Sequence, residues 1–361
     1  MPQRVMSSTY MEWAKLHSGG KYNLAASGVR WYALQDLPVT LADLEINGPS
    51  AYGHPPLQEA IARRFGVSTD MVVAAAGASL ANHLAMAVAF EPGDEVLIER
   101  PTYELLLSTA HYLGAKVTRF ARRFEDGFRI DLRELEAALT SRTRLIVLAN
   151  LQNPSGALAD NATLAQVGAL ARSVGARVLV DEVYLEALFE QRPKSAIHLG
   201  NEFMVTSSLT KAYGLNGLRC GWVLAAPELA RKMWRLNDLF GVIPAHPAEL
   251  LSVIAFKHLD HVAASAKALL QNNLVLLHEF LEAHPELQCH KPAFGTVAFP
   301  KLLEGDVDEL CAVLRENYET TVVPGKFFEM PQHFRIAVGG ETQMVKEGLE
   351  RLGQSLEKVL R

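Results

Sequence analysis

Between residues 70 and 245 the chain alternates short apolar runs with stretches of helical period. Residues 72–76 (VVAAA) predict a strand and 79–90 a helix, followed by a strand at 94–99 (DEVLIE) and a helix at 103–113. Residues 144–149 (RLIVLA) are almost continuously apolar, the mark of a strand buried on both faces. A helix at 161–174 follows, then strands at 177–181 (RVLVD), 203–207 (FMVTS) and 219–225 (RCGWVLA). Strand–helix alternation of this kind predicts an α/β unit with a mostly parallel sheet. Such sheets bind ligands in the crevice beyond the C-terminal ends of their strands.

After residue 245 the period changes: residues 246–282 read as mainly helical. Strands near 287–291, 296–300, 320–323 and 334–338 then mix with helices at 306–318 and 341–360. This predicts a smaller α+β domain. The first 45 residues show no strong period and are expected to pack against it. The expected division is residues 1–45, 46–245 and 246–361.

Composition narrows the class. The 361 residues, 49% of them apolar, can bury one large core and a smaller one. Charged residues make up 21% and the net charge is −5, which provides no basic footprint for nucleic acid. Cys220, Cys289 and Cys311 are odd in number and lack metal-ligand spacing; they read as reduced core thiols. The first residues lack the apolar stretch of a signal peptide. No run reaches the ~18–20 apolar residues of a membrane span. A cytoplasmic enzyme with small-molecule partners, and with no metal, nucleic acid or membrane partner, is expected.

Candidate chemistry gathers at strand ends and loops. Lys211 lies in the Ser/Thr- and Gly-rich stretch SSLTKAYGLNGLR, residues 207–219. Ser208, Thr210 and Arg219 there are donors suited to a phosphate, although a surface turn would look the same in isolation. Asp181 ends the apolar run RVLVD. It suits either a proton held on a ligand's ring nitrogen or a helix N-cap. Asn153-Pro154-Ser155-Gly156 reads as a turn. Gly77-Ala78-Ser79 joins a strand to a helix, where backbone N–H groups make an anion cradle. Arg335, in HFRIAV, is either an edge residue with its head in solvent or a bidentate carboxylate clamp.

Taken together, these pieces resemble the fold-type I pyridoxal-phosphate (PLP) enzymes of the class I/II aminotransferase family, the aspartate aminotransferase superfamily. The landmarks run in family order from Asn23 to Gly339. They are YG (52–53) with PLQEAI, GAS, PxY (101–103), NPSG, DEVY (181–184), SLTK with GLRCG, VPGKFF (323–328) and RIAV. Lys211 and Arg219 keep the family's eight-residue spacing. The resemblance implies a three-layer PLP-transferase large domain and a smaller C-terminal one. It makes Lys211 the Schiff-base lysine and proton shuttle, and Asp181 the partner of the pyridine nitrogen. Asn153 and Tyr184 would bond the cofactor's phenolic oxygen, and Tyr103 would stack on its ring. Gly77, Ala78, Ser79, Ser208, Thr210 and Arg219 would surround the phosphate. Tyr52 would reach the phosphate from a partner subunit, implying a homodimer with shared sites. Arg335 would bind the substrate's α-carboxylate beside Asn153, under the loop that carries Gly28.

The chain departs from the family at Ser155, where threonine is usual, and at ANLQ before it. The implied activity is transfer of an amino group between an L-amino acid and a 2-oxo acid. The same constellation also serves β-lyases, decarboxylases, and cyclases or oxidases of specialised amino-acid metabolism. A regulator built on this fold would need a DNA-binding segment ahead of a pattern that already starts near residue 23. No second arginine for a side-chain carboxylate is identified. Tyr10, Glu12, Arg30, Trp31 and Tyr32 are candidates for shaping specificity.

Overall fold

A computed structural model describes residues 5–360. Helix α1 (Thr9–Leu16), strand β1 (Tyr22–Asn23) and helix α2 (Pro55–Phe65) lead into a seven-stranded sheet. Its strands and intervening helices are β2 (Val72–Ala76), α3 (Gly77–Ala89), β3 (Glu95–Arg100), α4 (Glu104–Tyr112), β4 (Lys116–Ala121), α5 (Leu132–Ala138), β5 (Thr143–Ala149), α6 (Asn161–Ser173), β6 (Arg177–Asp181), β7 (Phe203–Ser208) and β8 (Cys220–Leu224). The spatial order is β2-β8-β7-β6-β5-β3-β4. Only β8 runs against its neighbours, β2 and β7; every other pairing is parallel. The mostly parallel α/β sheet expected from the apolar runs is therefore present. Leu145, Ile146, Val147 and Leu148 of β5 are fully buried, as are Val178, Leu179 and Val180 of β6. That is why these runs carry no polar alternation.

One strand of the sheet and one helix packed on it escape the sequence pattern. Strand β4 lies at the edge and is largely half-buried, so its mixed polar and apolar residues resemble a loop. The amphipathic α7 (Pro227–Asn237) follows β8 and packs on β2 and α3.

The remaining elements are α8 (His246–Lys257), α9 (Leu259–Ala283), β9 (Leu287–Gln288), β10 (Val297–Ala298), β11 (Lys301–Leu302), α10 (Val307–Tyr318), β12 (Thr320–Thr321), β13 (Val323–Pro324), β14 (Phe334–Ala337) and α11 (Thr342–Val359). The mainly helical stretch expected over 246–282 is two helices divided at His258, which ends α8 and precedes α9. The small strands are shorter than the pattern suggests because each pairs over only a few residues. β14 is the middle strand of β10-β14-β13. Arg335 is thus central and fully buried, and its reading as an edge residue with a solvated head is set aside. The N-terminal segment touches both regions: β1 pairs with β12, whereas α1 packs on α4.

Candidate active site

A cavity of about 180 Å³ opens at the C-terminal ends of β5, β6 and β7. Asp181 closes β6 at its floor and is 3% exposed. Asn82 Nδ2 donates to its Oδ2 at 2.9 Å, and the Val183 N–H donates to its Oδ1 at 3.1 Å. Thr206 Oγ1 donates to Asn82 Oδ1 at 2.6 Å, which turns the Asn82 amide so that its N–H₂ faces the carboxylate. Burial pushes the Asp181 carboxyl above its usual range, and these donors oppose that. Asp181 caps no helix with its side chain; the next helical turn starts after Tyr184.

Lys211 reaches the same cavity from the loop between β7 and β8. Burial holds its ammonium below the ordinary lysine range. Its Nζ donates to Ser27 Oγ at 3.0 Å, and the Tyr184 hydroxyl donates to the same oxygen at 2.7 Å. Tyr103 forms another wall, its ring edge-on to Tyr10 at 5.7 Å. Burial raises the phenols of Tyr103 and Tyr184, so both stay neutral.

The mouth is built for an anion. The N-cap residue of α3, Ala76, supplies no capping side chain, so the helix's first N–H groups carry their partial positive charge uncapped. Ala78 and Ser79 of this turn line the cavity with Ser208, Thr210 and Arg219. Arg219 takes a left-handed backbone at φ 48°, a conformation costing about 1–2 kcal/mol for a side-chain-bearing residue. It lays its guanidinium across Gly77, where a Cβ would sit 2.1 Å from Arg219 Nη2. Gly77 itself has φ +81°.

A second guanidinium lies behind the cavity. Arg335 Nη1 donates to Asn153 Oδ1 at 2.8 Å, and its Nη2 donates to the Tyr10 hydroxyl at 2.9 Å and the Ala25 carbonyl at 3.1 Å. Its Nε is buried without a partner. Among the described residues no carboxylate pairs with either Arg335 or Arg219 within 4.0 Å. A buried cation without a counter-ion is costly, so the fully buried Arg335 leaves a place for a ligand anion, whereas the exposed Arg219 offers its guanidinium at the mouth beside the start of α3.

The fold gathers most of the residues singled out in the sequence, but not all. Gly28 packs on Lys211, where a Cβ would lie 3.5 Å from the lysine Cα. Tyr52 is 52% exposed and bonded to Asp238 at 3.1 Å, away from the cavity. Glu12 is exposed. Arg30, Trp31 and Tyr32 line a separate cavity of about 280 Å³ against α9. Of the specificity candidates only Tyr10 reaches the site, through Arg335. Ser27, Asn82, Thr206 and Met11 were not foreseen. Asn82 sits inside a helical period and Ser27 in an aperiodic segment, so nothing in the linear pattern marks either one.

The family described as aminotransferase class I and II matches residues 40–352. Capreomycidine synthase of Streptomyces vinaceus is 29% identical over 98% of this chain and 95% of its own. A crystal structure of a PLP-dependent aminotransferase from Streptococcus suis superposes with a TM-score of 0.93 at 26% identity, over 99% of each chain. The PLP-dependent cyclase OrfR superposes with a TM-score of 0.90 at 25% identity, again over 99% of each. The family match, these full-length relatives and the sheet order agree: the chain belongs to the aminotransferase class I and II family and is an enzyme of the PLP-dependent aminotransferase type.

Proposed function

We propose that this protein holds PLP on Lys211 and moves an amino group between an L-amino acid and a 2-oxo acid. The observation that carries this reading is the pair of guanidiniums near a half-buried lysine amine, Arg219 exposed at the mouth of the cavity and Arg335 fully buried, neither with a carboxylate partner among the described residues. Arg219 with the α3 N-terminus suits a phosphate, and buried Arg335 suits a carboxylate. The donor set fits the cofactor in other ways. Asp181, an acceptor whose charge burial disfavours, suits a protonated ring nitrogen. Tyr103 offers an aromatic face. Asn153 and Tyr184 offer polar atoms for the phenolic oxygen.

PLP supplies an aldehyde that takes up amines and a ring that draws electrons from the adjacent carbon. The chain's own residues do the rest. Arg335 and Asn153 fix the substrate carboxylate and so orient the α-carbon. Lys211 Nζ, whose charged form burial disfavours, takes the α-proton as general base. Asp181 keeps a proton on the ring nitrogen. Gly28 brings the loop that roofs the site down onto Lys211. We extend the proposal to a cytoplasmic homodimer in which the exposed Tyr52 serves the partner's phosphate site.

The test is spectroscopic. Protein reconstituted with PLP should absorb in the visible, and borohydride should fix the cofactor on Lys211. Lys211→Ala should lose both signals. Wild type with neither a visible band nor a trappable lysine would end the reading.

A second reading, cyclisation of an amino acid, is favoured by the full-length similarity to capreomycidine synthase and to the cyclase OrfR. Incubation with amino acids separates the two. Transamination consumes a 2-oxo acid acceptor and yields a new amino acid, whereas cyclisation proceeds without an acceptor.

A further inference from the structure

Ser27 lies outside the stretch that matches the family, residues 40–352, yet it touches the centre of the site. It is 6% exposed. A buried serine commonly bonds its own backbone a few residues away. This hydroxyl instead meets Lys211 Nζ at 3.0 Å and the Tyr184 hydroxyl at 2.7 Å, groups 184 and 157 residues distant in the chain.

The segment around it is stitched in place from both sides. The Ser27 carbonyl accepts from Thr296 Oγ1 at 2.7 Å. The Val29 N–H donates to the Lys211 carbonyl at 2.8 Å, and the Arg30 N–H to the Gly339 carbonyl at 2.6 Å. Gly28 lets this backbone approach closely: a Cβ there would already lie 3.3 Å from the Thr210 carbonyl oxygen. The hydroxyl is therefore delivered to the lysine by a strap bound to the lysine's own backbone. No carboxylate among the described residues pairs with Lys211 within 4.0 Å. Ser27 Oγ is the hydrogen-bond acceptor that its amine meets.

We propose that Ser27 is a positioning residue for Lys211, holding the amine whenever it is free of the cofactor and supporting its protonated form. The half-buried ammonium meets this one acceptor among the described residues and loses it when the hydroxyl is removed. The neutral amine then gains relative to the charged one. A hydrogen bond to a charged group is worth about one pH unit or slightly more.

The inference rests on Lys211 being the cofactor lysine, and the test separates the two claims. The rate at which cofactor-free protein captures PLP is measured against pH, with borohydride fixation as the readout. Ser27→Ala should move the midpoint of capture down by about one pH unit. Ser27→Thr, which keeps the hydroxyl, should restore it. Ser27→Cys, a weaker acceptor, should fall between and carries the test should the alanine variant not fold. A role confined to packing would change thermal stability without moving this midpoint. An unchanged midpoint in Ser27→Ala, or failure of Ser27→Thr to restore it, overturns the inference while leaving the cofactor reading intact. Failure of wild type to capture PLP overturns the cofactor reading itself.

Discussion

Two adjacent carboxyls at the end of β6 meet different surroundings. Asp181 faces the cavity and accepts from two donors, Asn82 Nδ2 and the Val183 N–H. Glu182 turns away and is 2% exposed. It accepts from the Ala196 N–H at 2.7 Å, and its Oε2 has no partner. Burial raises the Glu182 carboxyl to about 7 from 4.5. The native state then binds more protons than the unfolded chain between those values, so stability falls as pH rises through that window. Glu182→Gln should flatten this slope. Denaturation at about pH 5 and about pH 8 should show wild type losing on the order of 3 kcal/mol more than the variant between the two. Equal losses would refute the charge argument. Arg335 yields a different signature. Arg335→Gln removes a buried cation without a counter-ion, so the fold should tolerate it. The KM for the amino acid should rise by about tenfold or more, matching a lost charge-assisted bond, while the visible band persists. Arg335→Lys should not restore it, because a point charge lacks the planar fork. The sequence already marks Lys211, Asp181 and Arg335 by residue type and position. Ser27 and Asn82 are ordinary residue types whose partners lie 99 or more positions away, so only folding reveals them.

The β2–α3 junction is the element on which the anion site depends. α3 begins directly at the strand end, and β8 runs beneath it so closely that a Cβ at Gly221 would sit 2.3 Å from the Gly77 carbonyl carbon. At Gly77 the obstacle is instead the movable end of Arg219. The two glycines should therefore fail differently. Gly77→Ala forces the guanidinium aside at a left-handed position and should weaken PLP binding by about tenfold or more, with the fold largely kept. Gly221→Ala meets backbone, and overpacking there should lower stability by about 1–3 kcal/mol. Equilibrium PLP titration and thermal melting distinguish these outcomes. At this scale the linear pattern locates the buried parallel strands well, because burial on both faces removes polar alternation. It misses β4, whose edge position permits polar residues. It also cannot foresee the break at His258, since helical period continues across it.

At the scale of the whole molecule, exposed Leu239, Phe240, Val242 and Ile243 lie near Tyr52 in sequence-distant segments. They favour the proposed homodimer, because an apolar surface of this kind invites a partner. If Tyr52 acts across that interface, mixing Lys211→Ala with Tyr52→Phe should rebuild one complete site per hybrid dimer. Tyr52→Phe alone should bind PLP roughly tenfold more weakly, and the hybrids should regain a fraction of tight, borohydride-trappable sites. No recovery in the mixture would refute the shared site. The sequence alone determines the mostly parallel sheet, the lysine, the carboxylate and the family order of motifs, because these depend on local period and residue type. Tertiary structure alone decides that Arg335 is a buried central residue and that the aperiodic N-terminal segment carries Ser27 to Lys211. The physical reason is that hydrogen bonds and desolvation depend on neighbours in space, and those contacts form between segments that share no local pattern.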